Sequence, residues 1–148
     1  MAMIPQGGAG PGILSTIQKY SYASDGNATN VADTAITIVF GTGSSSTTSG
    51  YVVGGGDPSP TIITDIQKFT FNTDSDATSV ANLSTSARVA SGQSSSTNGY
   101  SSGGITATGN NNEIQKFPFS ADNDATDVAD LLSSRYSTSG QSSSTHGY

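Results

Sequence analysis

Ile66-Gln-Lys-Phe-Thr-Phe71 occurs again as Ile114-Gln-Lys-Phe-Pro-Phe119 and, with tyrosine in place of phenylalanine, as Ile17-Gln-Lys-Tyr-Ser-Tyr22. The copies start 49 and then 48 residues apart, which marks an internal repeat. Working outward, Asp76-Ala-Thr-Ser-Val80-Ala81-Asn82-Leu83 follows the second copy and Asp124-Ala-Thr-Asp-Val128-Ala129-Asp130-Leu131 the third. The first copy continues as Asn27-Ala-Thr-Asn-Val31-Ala32-Asp33 and then drifts into the apolar run Ile36-Thr-Ile-Val-Phe40. Further on, Ser91-Gly-Gln-Ser-Ser-Ser-Thr97 matches Ser139-Gly-Gln-Ser-Ser-Ser-Thr145, trailed by Asn98-Gly-Tyr100 and His146-Gly-Tyr148.

The repeat unit reads as short strands joined by turns. No window holds a sustained apolar stripe at helical spacing, whereas Ile66–Phe71 and Gly50-Tyr-Val-Val-Gly-Gly55 are apolar stretches bounded by turn residues. Ser, Thr and Gly make up about two-fifths of the 148 residues, a composition suited to strands and turns. At 32% hydrophobic and 11% charged, the chain is not of the low-hydrophobicity, high-charge type that stays disordered. It has no cysteine, which removes disulfides, thiolate metal sites and a cysteine nucleophile. A net charge of -6 with five scattered basic residues argues against nucleic acid as a partner. No apolar run approaches the roughly 20 residues that span a bilayer, so no membrane association is expected, and the Met1 segment does not read as a signal peptide.

Each part of the unit has a physical reason. If the sheet carrying Ile66–Phe71 is sandwiched between two neighbours, both faces of that strand are buried, with Ile66 on one and Phe69 and Phe71 on the other. The Gly-Gly pairs at Gly54-Gly55 and Gly103-Gly104 supply backbone freedom where the chain leaves a crowded strand. Asp74-Ser-Asp76-Ala-Thr78 reads as a turn into an outer strand, and the Ser-Gly-Gln-Ser-Ser-Ser stretch as the innermost strand.

These features resemble the kelch repeats of β-propellers, in which a strand ending in Gly-Gly precedes a variable loop and an aromatic-bearing strand. The outer-strand tryptophan of kelch repeats is missing, its place taken by Val31, Val80 and Val128. The resemblance implies an all-β, kelch-like β-propeller with three four-stranded blades per chain. The whole chain, 1–148, is then one repeat domain, with blades at about 1–35, 36–84 and 85–132. Gly7-Gly8 aligns with Gly54-Gly55, which sets Met3–Gln6 on a Gly-Gly strand that lacks an inner partner. Residues 133–148 supply an unpartnered innermost strand. The expectation is a split blade completed between chains, a homodimer closing a six-bladed ring, since propellers have about four to eight blades. A nine-bladed trimer, a strained three-bladed monomer and a fragment of a longer repeat protein are the alternatives.

Candidate chemistry is thin. His146 is the only histidine, its counterpart one repeat earlier is Asn98, and no partner for acid-base work or metal ligation is placed beside it. The turns Asp25-Gly-Asn27, Asp74-Ser-Asp76 and Asp122-Asn-Asp124 have alternate-oxygen spacing but lack the later Glu of a calcium loop, so solvated turns are the expectation. Lys19, Lys68 and Lys116 recur once per unit and fit either a ring of ammonium groups or lysine stems covering apolar surface. Asn27-Ala-Thr29 and Asn82-Leu-Ser84 match the glycosylation pattern. No catalytic, cofactor-binding or metal-binding residue is therefore assigned, and no cofactor is expected. The inventory also fails the propeller enzymes: copper oxidases need cysteine and several histidines, and sialidases an arginine cluster, against Arg88 and Arg135 alone.

The expected function is that of a non-enzymatic structural or binding propeller. Repeats of this style are similar to those of hypothetical phage and viral proteins, which implies a virion component for attachment or assembly, with other virion proteins or host surface glycans as partners. A lectin-like glycan-binding propeller is the alternative; it calls for exposed aromatic platforms, and Tyr51, Tyr100 and Tyr148 fall in Gly-Gly strands. An engineered or fragment propeller without native function is a further one. Long loops at Gly8 to Thr16, Gly55 to Asp65 and Gly104 to Glu113 are where binding would sit.

Overall fold

A computed structural model describes residues 14–59 and 61–148; the alignments at Met3–Gln6 and Gly7-Gly8 lie outside the described residues. All regular structure among the described residues is β. The first repeat forms a two-stranded antiparallel sheet of β1 (Thr16–Lys19) and β2 (Thr29–Asp33). The second forms a four-stranded meander of β3 (Thr42–Ser45), β4 (Ser49–Val53), β5 (Asp65–Thr70) and β6 (Thr78–Asn82). The third sheet comprises β7 (Ser91–Ser94) and β8 (Asn98–Ser102), then β11 (Glu113–Pro118) and β12 (Thr126–Asp130). A small hairpin, β9 (Ile105–Thr106) with β10 (Gly109–Asn110), fills the connection between β8 and β11.

The Ile-Gln-Lys-aromatic strand alternates between two neighbours. In β5, Ile66 lies in a core with Tyr51, Phe117 and Ala125, on the side of the third sheet. Phe69, on the opposite side, shares a second core with Ile17, Ala32 and Ala77. β4 is buried throughout, with Tyr51 and Val53 in the first core and Val52 in the second. Two-sided burial explains why β4 is nearly continuously apolar and not alternating.

Two close approaches set the spacing. Phe69 pairs with Gly50 and Phe117 with Gly99, and a Cβ on either glycine would collide with the aromatic ring. Between sheets, a Cβ on Gly92 would strike the carbonyl of Gly43, and one on Gly140 the carbonyl of Gly92. The inner strands therefore lie side by side at backbone distance. Ser44 Oγ donates to the Gln93 carbonyl (3.0 Å), Ser45 N to Ser94 Oγ (2.9 Å), and Ser94 N to Ser142 Oγ (2.9 Å). Phe40, Val89 and Ser137 share left-handed φ values of 59°, 50° and 54°. Val89 N donates to the Phe40 carbonyl and Ser137 N to that of Val89, both at 2.9 Å.

One local feature differs from the sequence reading. Residues 133–148 do not form one innermost strand. Gln141 and Tyr148 exchange backbone hydrogen bonds (2.9 and 2.8 Å) and Ser143 N donates to the His146 carbonyl (2.8 Å), so the segment folds into a tight hairpin beside β7. These three backbone bonds and the Ser142–Gly147 bridge hold its two arms together. The apolar run Ile36–Phe40 forms no strand: Val39 bridges to Gly56, Ile38 is buried, and Phe40 turns the chain into β3.

Every outer strand also carries a bulge. Ile66 pairs with Ala81 and Gln67 with Ser79, leaving Val80 as the extra residue; Val31 in β2 and Val128 in β12 occupy the same place. The bulge puts Val80 and Ala81 against the same core, which no strictly alternating strand could do.

Candidate functional site

The residues that recur with each repeat are the first place to look for chemistry. Where a sheet lies next to them, they are engaged by it. Lys19 Nζ contacts both carboxylate oxygens of Asp74 at 2.6 Å, and Lys68 Nζ lies 2.9 Å from Asp122 Oδ1. Asp76 Oδ1 accepts from Asp33 N (2.9 Å), and Asp124 Oδ1 from Asn82 N (2.8 Å). The Asp74-Ser-Asp76 and Asp122-Asn-Asp124 turns are therefore staples between sheets, in which the first acid holds a lysine and the second caps a backbone amide. No group of three or more metal-ligating side chains converges among the described residues. Lys19 and Lys68 reach carboxylates, a role that the apolar-stem reading does not contain. Its signal was present in the period: each lysine precedes its aspartate by 55 or 54 residues, one repeat plus a constant offset.

The glutamine of the repeat was passed over in the sequence, yet it is the most buried polar group. Gln67 is fully enclosed; its Oε1 accepts from Ala35 N (2.6 Å) and its Nε2 donates to the Ile36 carbonyl (3.4 Å). Gln115 Oε1 accepts from Thr85 N (3.1 Å) and Ser84 Oγ (2.9 Å), while its Nε2 donates to the Thr85 carbonyl (2.9 Å). A buried primary amide is costly unless its groups are paired, and both glutamines meet that condition by clamping the loop behind the preceding outer strand.

Tyr51 sits at the centre of the interface between the second and third sheets, stacked on Phe119 (centroids 5.0 Å) and tilted against Phe117 (5.4 Å). Burial pushes its hydroxyl above the ordinary tyrosine value, with Lys68 opposing the shift and Asp122 adding to it. The hydrogen bond that Lys68 donates to Asp122 holds its ammonium above the usual lysine range despite partial desolvation.

One cleft stands out from this closed arrangement. About 400 Å³ in volume, it lies between the third sheet and the 141–148 hairpin, lined among others by Tyr100, Ser102, Ile114, Leu131, His146 and Tyr148. His146 has Nδ1 2.8 Å from Thr145 Oγ1 and its ring tilted toward Tyr148 (6.4 Å). Tyr148 is exposed and Tyr100 half-buried, so of the three repeat tyrosines only Tyr51 is core. The Gly8 to Thr16 connection lies mostly outside the described residues; in the other two, Asp57 Oδ1 accepts from Ser59 N and Thr61 N (both 2.9 Å), and Arg88 bridges to Ile105 at the base of the β9–β10 hairpin.

No family model matches this chain, and no curated protein matches it.

Proposed function

We propose that the chain is a kelch-like β-propeller segment acting as a non-enzymatic structural and binding platform, of the kind that serves attachment or assembly in a virus particle. The two four-stranded sheets are taken as complete blades, the β1–β2 sheet as the outer half of a third, and the 141–148 hairpin as an inner half. Two copies bring the number to six, inside the usual range of about four to eight.

One observation carries the non-catalytic reading: the recurring side chains with reactive groups, Lys19, Lys68, Asp74, Asp76, Asp122 and Asp124, are held in contacts between sheets. A platform of this kind presents its connections as the variable surface. By the alternation of strand direction, the Gly55 to Asp65 and Gly104 to Glu113 connections emerge from the same edge of their sheets. A glycan array with the purified full chain tests this. Saturable sugar binding is required by the lectin-like reading alone, and binding that is lost on substitution of exposed Tyr136 would replace the platform by that reading. Negative-stain images tests the architecture, with rings around a central opening expected.

A further inference from the structure

The cleft beside the third sheet has a filled counterpart in the same molecule. Tyr100, Ser102, Ile114 and Leu131 occupy the repeat positions of Tyr51, Val53, Ile66 and Leu83. Around that second set the third sheet inserts Phe117 and Phe119, and the space is closed. Around the first set nothing inserts, and the cleft is open. The rest of the surface agrees: Val128 is 45% exposed and Ala129 is exposed, whereas Val80 is partly buried and Ala81 buried.

The residues that fit this cleft lie on the opposite side of the molecule. Tyr20 and Tyr22 hold the places of Phe117 and Phe119, and their rings already make the same edge-on pair, 5.5 Å and 84° against 5.9 Å and 78°. Tyr22 nevertheless stands 75% exposed. Charge is complementary as well. Lys116, which forms no salt bridge among the described residues, repeats Lys19 and Lys68, and the position after Asp74 and Asp122 in that series is Asp25. The Asp130 amide would likewise meet Asn27 as Asn82 meets Asp124, and Gln18 would clamp the Ser133 backbone as Gln115 clamps Thr85.

We infer that a second copy of this chain docks its β1–β2 sheet on the third sheet, seating Tyr20 and Tyr22 in the cleft lined by Tyr100, Ile114 and Leu131. This rests on the propeller reading and specifies its interface. The hairpin takes part: Gly147 repeats Gly50 and Gly99, so it pairs opposite the incoming Tyr20, and Tyr148 falls opposite Lys19 as Tyr51 does opposite Lys68. Each copy thus gives the other an aromatic pair and receives one, with both contacts equivalent about a two-fold axis.

Light scattering coupled to size exclusion on the full chain tests this with two variants. Gly147→Leu blocks the seat of Tyr20, yet within its own chain a Cβ there meets only the flexible Gln93 side chain, at 3.3 Å or more. Tyr22→Asp alters a side chain that is exposed in the single chain. The expected result is twice the chain mass for the native sequence and roughly 100-fold weaker dimerisation for each variant, with unchanged β-type circular dichroism. A native chain that stays at the monomer mass overturns the inference, as does a dimer that both variants leave intact. Ring images together with an intact variant dimer would sink this interface and spare the propeller; a variant-sensitive dimer without rings would support the interface and sink the propeller.

Discussion

The second and third sheets are built from almost the same residues and are buried very differently. Leu83 is 3% exposed and Leu131 is only half-buried; Ala81 is buried and Ala129 is exposed. Strand order and antiparallel registers match, down to the bulged valine. Burial at these positions thus belongs to the neighbouring sheet, and the strand sequence only makes it possible. An Ile-Gln-Lys-aromatic strand is a two-sided connector: Ile and Lys serve the following sheet, and Gln and the aromatics serve the preceding one.

The comparison breaks most sharply where the backbones touch. Gly92→Val thrusts a side chain into the Gly43 carbonyl, and a loss above about 4 kcal/mol is expected, enough to abolish a cooperative melt. The comparison sharpens with matched pairs, measured by urea unfolding in the Gly147→Leu background, where copies are held apart. Leu83→Ala should cost about 3 kcal/mol and Leu131→Ala under about 1, because only the first leaves a cavity in a closed core. Gln115→Leu strands the Thr85 amide and carbonyl and should cost about 2 kcal/mol, whereas Gln18→Leu should cost about 0.5 or less. Equal losses within either pair would show that the two faces are not the functional opposites described above.

The smallest effect is a pH dependence. The folded-state values of Tyr51 and Lys68 are both raised, so their contribution is complete below the unfolded values and declines as pH climbs through the folded ones. Stability should therefore fall from about pH 10 upward. Tyr51→Phe should remove part of that slope, and a slope unchanged by it would mean that folding does not raise the Tyr51 hydroxyl above its unfolded value.

Much of this arrangement was legible in the chain. The Ile66–Phe71 strand, the Asp74–Thr78 turn and the Ser91 inner strand follow from local pattern, because side-chain alternation and turn chemistry act over a few residues. How the sheets are placed relative to one another is a property of several repeats together, and no single repeat encodes it. The Lys–Asp staples and glutamine clamps were hidden for a different reason: each joins residues 30 or more apart, and polarity alone makes them look like solvated surface. The hairpin at 141–148 was missed because the Ser-Gly-Gln-Ser-Ser-Ser stretch was assigned whole to one strand. Its turn is held by Ser143 Oγ accepting from His146 N (3.0 Å), a contact no periodicity reveals.

The bulge at Val31, Val80 and Val128 bears on behaviour at high concentration. β2, β6 and β12 are each the last strand of their sheet, and only part of the outward-facing backbone is taken up: Asp33 and Asn82 bond to the Asp76–Ala77 and Asp124–Ala125 turns. A flat row of unpaired backbone groups is a template for cross-β growth. One extra residue twists each of these strands and spoils the even spacing of its donors and acceptors, so that another chain cannot zip along it. In a Ser- and Thr-rich chain with few charged residues, protection of these edges thus rests on backbone geometry as well as on the net charge of -6.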